Sequence, residues 1–206
     1  MKRRGGSLKT RVGMVLALLL LLAICPLPTQ AHLNSTGMGP IYDGLLHFLL
    51  SPEDIVPVIA LALFAGLRGP EYARRALFLL PGFWFIGCLI GTTTTHFVPL
   101  PLTAVSFLVF GGLVAANVQL SLRTTSVLAM LFGLLHGYLN GEGLHCTVSI
   151  VVAYLGLVTG IFVLVALVTA FVIRLRSPWA RVAVRVAGSW VVASGLLMLG
   201  WAAHRG

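Results

Sequence analysis

Residues 147–174 form one apolar run that meets a charged residue only at its end, Arg174. A helix of that length is about 40 Å long, more than the roughly 30 Å hydrocarbon core of a bilayer. Five further apolar runs accompany it, at 54–68, 76–92, 101–119, 125–139 and 182–202. Composition agrees, with 58% hydrophobic and 9% charged residues in a chain of 206, against about 25% charged in a soluble domain. The mean hydropathy is +1.01. The expected fold class is all-α: a polytopic membrane protein with six transmembrane helices and, before the first span, a short interfacial helix over Gly39 to Leu50, too short to span and alternatively re-entrant. The first span is short, and the fifth is long enough to tilt or overrun the bilayer. Pro57 and Pro81 place kinks near the starts of spans one and two.

The chain carries 14 basic and 5 acidic residues, a net charge of +9. In a soluble protein such an excess would point to nucleic acid. Here its placement excludes that partner and leaves the lipid bilayer instead. Lys2, Arg3, Arg4, Lys9 and Arg11 precede the first apolar run. Arg68, Arg74 and Arg75 follow span one, Arg123 follows span three, and Arg174, Arg176, Arg181 and Arg185 follow span five. The loops after spans two and four hold no Lys or Arg. The positive-inside rule puts the basic loops in the cytoplasm. The chain is then expected in a bacterial inner (plasma) membrane, with both mature termini on the periplasmic side.

Residues 1–31 read as a cleaved signal peptide. A basic stretch leads into the apolar run Val12 to Ile24, then Pro26, Pro28 and the small-x-small site Thr29-Gln30-Ala31. An uncleaved signal anchor is the second reading. Lipidation at Cys25 is a third, against which Ile24 is large for its position. Cleavage after Ala31 leaves His32 as the N-terminus, its amine and imidazole either chelating a metal or simply exposed. The domain organisation is therefore a signal peptide at 1–31, an outer-side segment with an interfacial helix at 32–52, and a six-helix transmembrane domain at 53–206. The three cysteines, Cys25, Cys88 and Cys146, make no disulfide framework, and no spacing rule supports a Cys88–Cys146 bridge.

Polar residues at membrane depth are costly unless they are partnered or used. They concentrate in Phe132 to Cys146, FGLLHGYLNGEGLHC. On a helix, His136 and Asn140 share one face. Gly133, Gly137 and Gly141 form a stripe that lets a second helix approach closely, and Gly87 with Gly91 and Gly156 with Gly160 read as further packing spots. Glu142, His145 and Cys146 follow at once. A second group precedes span one, where Asp43 and His47 are four apart and Ser51-Pro52-Glu53-Asp54 opens the helix. The orientation gathers His32, His47, His96, His136, His145, His204, Asp43, Glu53, Asp54 and Glu142 at the outer surface. Imidazoles and carboxylates without basic partners make a mouth that attracts cations.

Each group has a plainer reading. Ser51 as N-cap, Pro52 at the first helical position and two acids in the first turn are an ordinary helix start. Asp43 and His47 are an exposed pair on an interfacial helix, or a carboxylate that orients an imidazole toward a metal. His136 and Asn140 are interhelical hydrogen-bonding groups, or ligands. His96, behind four threonines, is a solvated histidine. No HExxH, GxSxG, P-loop or dinucleotide fingerprint occurs, so neither a soluble-enzyme signature nor a nucleotide site lies on this chain.

These residues resemble the HupE/UreJ family of small membrane proteins, regarded as nickel or cobalt permeases. The family has a histidine followed six and seven residues later by Asp-His, running into an apolar span. Here His47 is followed by Glu53 and Asp54, then IVPVIALALFAGL. The family has a phenylalanine and then HGxAHGxE in span four. Here Phe132 is followed by His136-Gly137-Tyr138-Leu139-Asn140-Gly141-Glu142. Aspartate-histidine has thus become Glu53-Asp54, the second histidine is Asn140, and the glutamate comes one residue early. Oxygen ligands replace imidazoles, which favours harder ions.

The resemblance implies a permease, not an enzyme. Its substrate is a divalent transition-metal ion, nickel or cobalt foremost, and no organic cofactor is expected. The metal would gather at the outer mouth on His47, Glu53, Asp54, His136 and Glu142, with Asp43 and Asn140 beside them, and pass between spans one, two and four. Two alternatives use the same residues. One is a non-transporting accessory protein that binds metal for metalloenzyme-maturation partners. The other is an intramembrane metal-dependent hydrolase. Convergence of His47 and His136 is the geometric requirement of the permease and hydrolase readings.

Overall fold

A computed structural model describes residues 36–93, 102–142 and 148–205. The signal peptide with its cleavage site, Cys25, His32, His96, His145, Cys146 and the Cys88–Cys146 bridge lie outside the described residues.

Seven helices make up the described residues, with no strand among them: α1 Pro40–Leu50, α2 Pro52–Arg68, α3 Pro70–Gly91, α4 Leu102–Ala115, α5 Leu122–Gly141, α6 Val148–Ile173 and α7 Pro178–Arg205. By length and composition α3, α6 and α7 are each able to cross a membrane. The α1–α2 pair qualifies as a fourth span when taken together, and it is bent by 75°. Helix α4 is apolar but has only 14 residues, about 21 Å.

The boundaries differ from the apolar runs in a regular way. Helix α3 starts at Pro70 rather than 76, α5 at Leu122 rather than 125, and α7 at Pro178 rather than 182. In each case a polar or charged first turn extends the helix beyond its apolar stretch. Pro70 and Pro178 occupy first-turn positions, where a missing N–H leaves no bond unmade. Ser121 caps α5 by accepting a hydrogen bond from the Thr124 N–H at 3.1 Å. Helix α4 ends early, at Ala115, in a turn where Asn117 adopts φ 52°. Between α2 and α3 the reversal rests on Gly69 at φ 115°, a conformation that side chains disfavour. Helices α2 and α3 continue through Pro57 and Pro81, and the sharp bend falls at Ser51. Ser51 sits at the N-cap position with an extended backbone but does not cap α2. Its hydroxyl donates backward to the His47 carbonyl at 2.7 Å, closing the end of α1 instead.

Helix α2 is the hub, because it alone among the described helices touches the other six. The six outer helices associate as three pairs, α3 with α5, α4 with α7 and α1 with α6. Each pair is joined through glycines. A Cβ on Gly87 or Gly91 of α3 would collide with the Leu134 or Tyr138 carbonyl of α5. One on Gly137 or Gly141 of α5 would meet the Trp84 or Cys88 carbonyl of α3. Gly44 of α1 lies against the Ala153 carbonyl, and Gly156 of α6 against the Ile41 carbonyl. Gly111 of α4 and Gly188 of α7 would meet backbone nitrogens of Val192 and Ala115 at 2.8 and 2.7 Å. Backbone-to-backbone approach of this kind is how membrane helices gain packing where lipid offers no hydrophobic drive.

Aromatic side chains fill the middle of the bundle. Trp84 is fully buried, edge-on to Phe132 at 5.6 Å and to Phe48 at 6.5 Å between centroids. Helix α7 is the opposite case, with only 17% of its most apolar window buried and Trp179, Trp190, Leu197 and Trp201 all exposed.

Candidate metal centre

Five polar side chains from four helices meet beside Trp84. Helix α1 brings His47, α2 brings Asp54 in its first turn, α4 brings Ser106, and α5 brings His136 and Asn140 one turn apart. Asp54 is 3% exposed and His136 2%. A carboxylate so buried is sustained only when both oxygens find donors. His136 Nδ1 donates to Asp54 Oδ1 at 2.8 Å. Asn140 Nδ2 donates to Asp54 Oδ2 at 2.9 Å, and its second proton goes to the His136 carbonyl, also at 2.9 Å. That fixes the orientation of the amide, whose oxygen accepts from His47 Nε2 at 3.0 Å. His47 therefore carries its proton on Nε2. His47 and Asn140 are themselves half-buried.

The far edge of His136 faces Ser106, with Oγ and Nε2 2.9 Å apart. Ser106 has one proton and two acceptors in reach, His136 Nε2 and the Leu102 carbonyl at 3.0 Å. When the hydroxyl donates to Leu102, Nε2 must donate to Ser106 and the ring is an imidazolium paired with Asp54. When it donates to Nε2, the ring is neutral. Phe132 and Trp84 hold the ring, at 4.5 and 5.4 Å between centroids.

Of the residues singled out in the sequence, His47, Asp54, His136 and Asn140 form one hydrogen-bonded chain. His47 and His136 are joined through Asn140 and Asp54. Asp43 stands apart, taken by Thr36, whose backbone N–H and hydroxyl each donate to Oδ1 at 2.6 Å. Glu53 is half-buried next to Asp54 but outside the chain of bonds. Glu142 flanks the end of α5, and its buried Oε1 makes no hydrogen bond among the described residues. Ser106 was missed by reading the sequence. Its signal was there, as a hydroxyl with no polar neighbour in Ala104 to Phe110. Cys88 was read as a span residue and weighed as a bridge partner, and Trp84 was not singled out, although both line the contact between α3 and α5.

The donor set of two imidazoles, a carboxylate and an amide oxygen suits a divalent transition metal better than the all-oxygen shell of magnesium or calcium. In this conformation those atoms bind each other. Among the described residues no three His, Cys, Asp or Glu side chains are arranged as a metal cage. A cation would take its place by replacing the Asp54–His136 and His47–Asn140 hydrogen bonds.

Helices of membrane-crossing length around a buried histidine–carboxylate centre define a helical membrane protein with a polar site in its interior. The family described as HupE / UreJ protein matches residues 17–198, and the chain belongs to it. That family is associated with nickel or cobalt transport or with urease and hydrogenase maturation, and is a transporter and accessory family rather than an enzyme family. Comparison with curated proteins and with solved structures returns no match.

Proposed function

We propose that the protein is a permease for a divalent transition-metal ion, nickel or cobalt foremost, in a bacterial inner membrane. The observation that carries this reading is the hydrogen-bonded chain His47–Asn140–Asp54–His136, buried at Asp54 and His136, which joins α1, α2 and α5 at one end of the hub helix. A polar centre of this kind inside an apolar bundle has a cost that packing alone does not require. The reading takes six crossings, with α4 the shortest, α2 bearing Asp54 and α5 bearing His136 and Asn140. Both mature termini lie on the periplasmic side, as the arginine loops dictate. The ion meets His47 and Glu53 first, exchanges with the hydrogen bonds around Asp54, and leaves past His136. Glu142 offers an unbonded carboxylate oxygen near the end of α5.

The test is nickel and cobalt accumulation in cells that express the parent chain or His136→Ala at matched membrane levels. Accumulation should fall to the background of cells without the protein. Uptake equal to the parent would sink the role given to His136. His136→Gln, which keeps a side-chain donor for Asp54, guards against simple misfolding and should also lose uptake.

The accessory-protein reading is favoured by one observation, that the donors satisfy each other and form no ready cage. Purified protein in liposomes separates the two. Metal that reaches the lumen supports the permease, whereas metal bound without entering supports the accessory role.

A further inference from the structure

At the opposite end of α2, about 21 Å along the helix from Asp54, lies a cavity of about 260 Å³ lined by Leu67, Arg68, Tyr72, Asn117, Gln119, Arg181 and Arg185. Three of the seven lining residues are arginines and none is acidic. The arginines come from the end of α2 and the start of α7. The cavity walls also include the first turn of α3 and the turn after α4.

Arg68 and Arg185 are held by neutral groups, and none of the three arginines pairs with a carboxylate among the described residues. Arg68 donates from Nη2 to the Asn117 side chain and stacks over Phe64, its Cζ 5.6 Å from the ring centroid. Its Nε is buried and has no hydrogen-bond acceptor among the described residues. Arg185 Nε donates to the Ala115 carbonyl at 3.0 Å. Tyr72 donates its hydroxyl to the Leu120 carbonyl at 3.0 Å, leaving its oxygen as a neighbour of the cavity. Neutral acceptors thus hold Arg68 and Arg185, Arg181 stands exposed beside them, and three positive charges surround one concavity. Such a set is stabilised by an anion with several acceptor oxygens. Guanidinium forks match phosphate in a bidentate way, and more N–H groups remain here than the protein itself uses. A basic pocket between membrane helices on the side of the arginine loops is also where anionic headgroups bind.

We propose that this cavity binds a phosphate group, with Arg68, Arg181 and Arg185 as its donors. The ligand is either the headgroup of an anionic phospholipid or free inorganic phosphate. The site does not depend on the metal reading and stands or falls separately.

The experiment uses the full chain, purified in detergent and stripped of lipid. Its unfolding temperature is followed against phosphatidylglycerol, with phosphatidylcholine as the neutral reference. A second titration uses inorganic phosphate, with chloride at equal ionic strength as reference. The parent should be stabilised, and the apparent affinity should weaken about tenfold or more in Arg68→Gln and in Arg185→Gln, the size expected for losing one charge-assisted contact. Arg174→Gln/Arg176→Gln, which removes two positive charges outside the cavity where each cavity variant removes one, should leave the affinity unchanged. Stabilisation by phosphatidylglycerol alone identifies the headgroup, and stabilisation by phosphate as well identifies a site open to the free ion. The proposal is overturned if neither ligand exceeds its reference, or if the Arg174/Arg176 pair weakens binding as much as the cavity variants. Should Arg68→Gln not fold, Arg181→Gln, exposed on the first turns of α7, gives the same reading.

Discussion

Asn140 uses its amide completely, with one oxygen for His47 and two protons for Asp54 and the His136 carbonyl. A leucine there would keep the volume and remove every bond. Asn140→Leu leaves the half-buried His47 N–H without its partner and one oxygen of the buried Asp54 carboxylate unmatched, the latter at a cost of about 1–3 kcal/mol. Thermal unfolding in detergent should show the loss, and an unchanged midpoint would mean that the centre does not support the fold. Asn140→His tests a different property. It adds an imidazole next to His47 and His136, which should raise nickel retained per molecule after desalting relative to the parent. Equal retention would mean that position 140 does not set metal preference. The i, i+4 spacing made His136 and Asn140 legible as one face, and the cost of polar groups at membrane depth marked them as important. What the spacing did not convey was their target. Asp54 looked like a first-turn acid and is one, but its helix enters the bundle at an angle that buries it. Asp43 carries the same chemistry and pairs locally with Thr36.

The stripe Gly133, Gly137, Gly141 announced a close neighbour before that neighbour was known, because a missing side chain every fourth residue leaves a groove. The structure fills it with the Gly87–Gly91 face of α3, which had the same spacing. Gly137→Val should separate the two helices and lower stability by about 1–3 kcal/mol through overpacking. Gly82→Ala, on the same α3 but with nothing within 4 Å of an added Cβ, should raise stability by about 0.5–1 kcal/mol through backbone entropy. Equal effects at the two sites, read by thermal unfolding, would show that glycine content rather than contact matters. Helix limits were less legible, since hydropathy marks only the apolar part of a helix. Pro70-Glu71-Tyr72-Ala73-Arg74-Arg75 is helical in the structure although charged, and the run at 101–119 stops being helical after Ala115. The break at Ser51-Pro52 between an interfacial helix and span one was legible, but its angle of 75° was not. Two apolar helices meeting at Ser-Pro gave no angle until α6 was seen to hold α1 across the end of α2.

For the whole molecule, the six apolar runs conveyed the class and the arginine loops a direction, while the arrangement of helices around α2 came only from the structure. The direction is open to measurement. In a background with Cys25, Cys88 and Cys146 replaced by alanine, Arg176→Cys should react with an impermeant thiol reagent only in inverted vesicles. His204→Cys should react in intact spheroplasts. The opposite pattern would invert the proposed path of the ion. The exposed face of α7, with Trp179, Trp190 and Trp201, is the natural lipid boundary for either orientation.

The three glycine-joined pairs have a mechanical consequence. Within a pair, the backbone of one helix fills the groove of the other, so the two interlock and form one leaf packed on α2. Each leaf sends one helix to the polar centre: α1 with His47, α5 with His136 and Asn140, and α4 with Ser106, while the spindle α2 supplies Asp54. Swinging the α1–α6 leaf breaks the His47–Asn140 bond. Swinging the α4–α7 leaf breaks the Ser106–His136 bond, and swinging the α3–α5 leaf breaks both bonds to Asp54. The centre therefore fastens the three leaves to one another and to α2, and whatever exchanges with its hydrogen bonds also loosens that fastening.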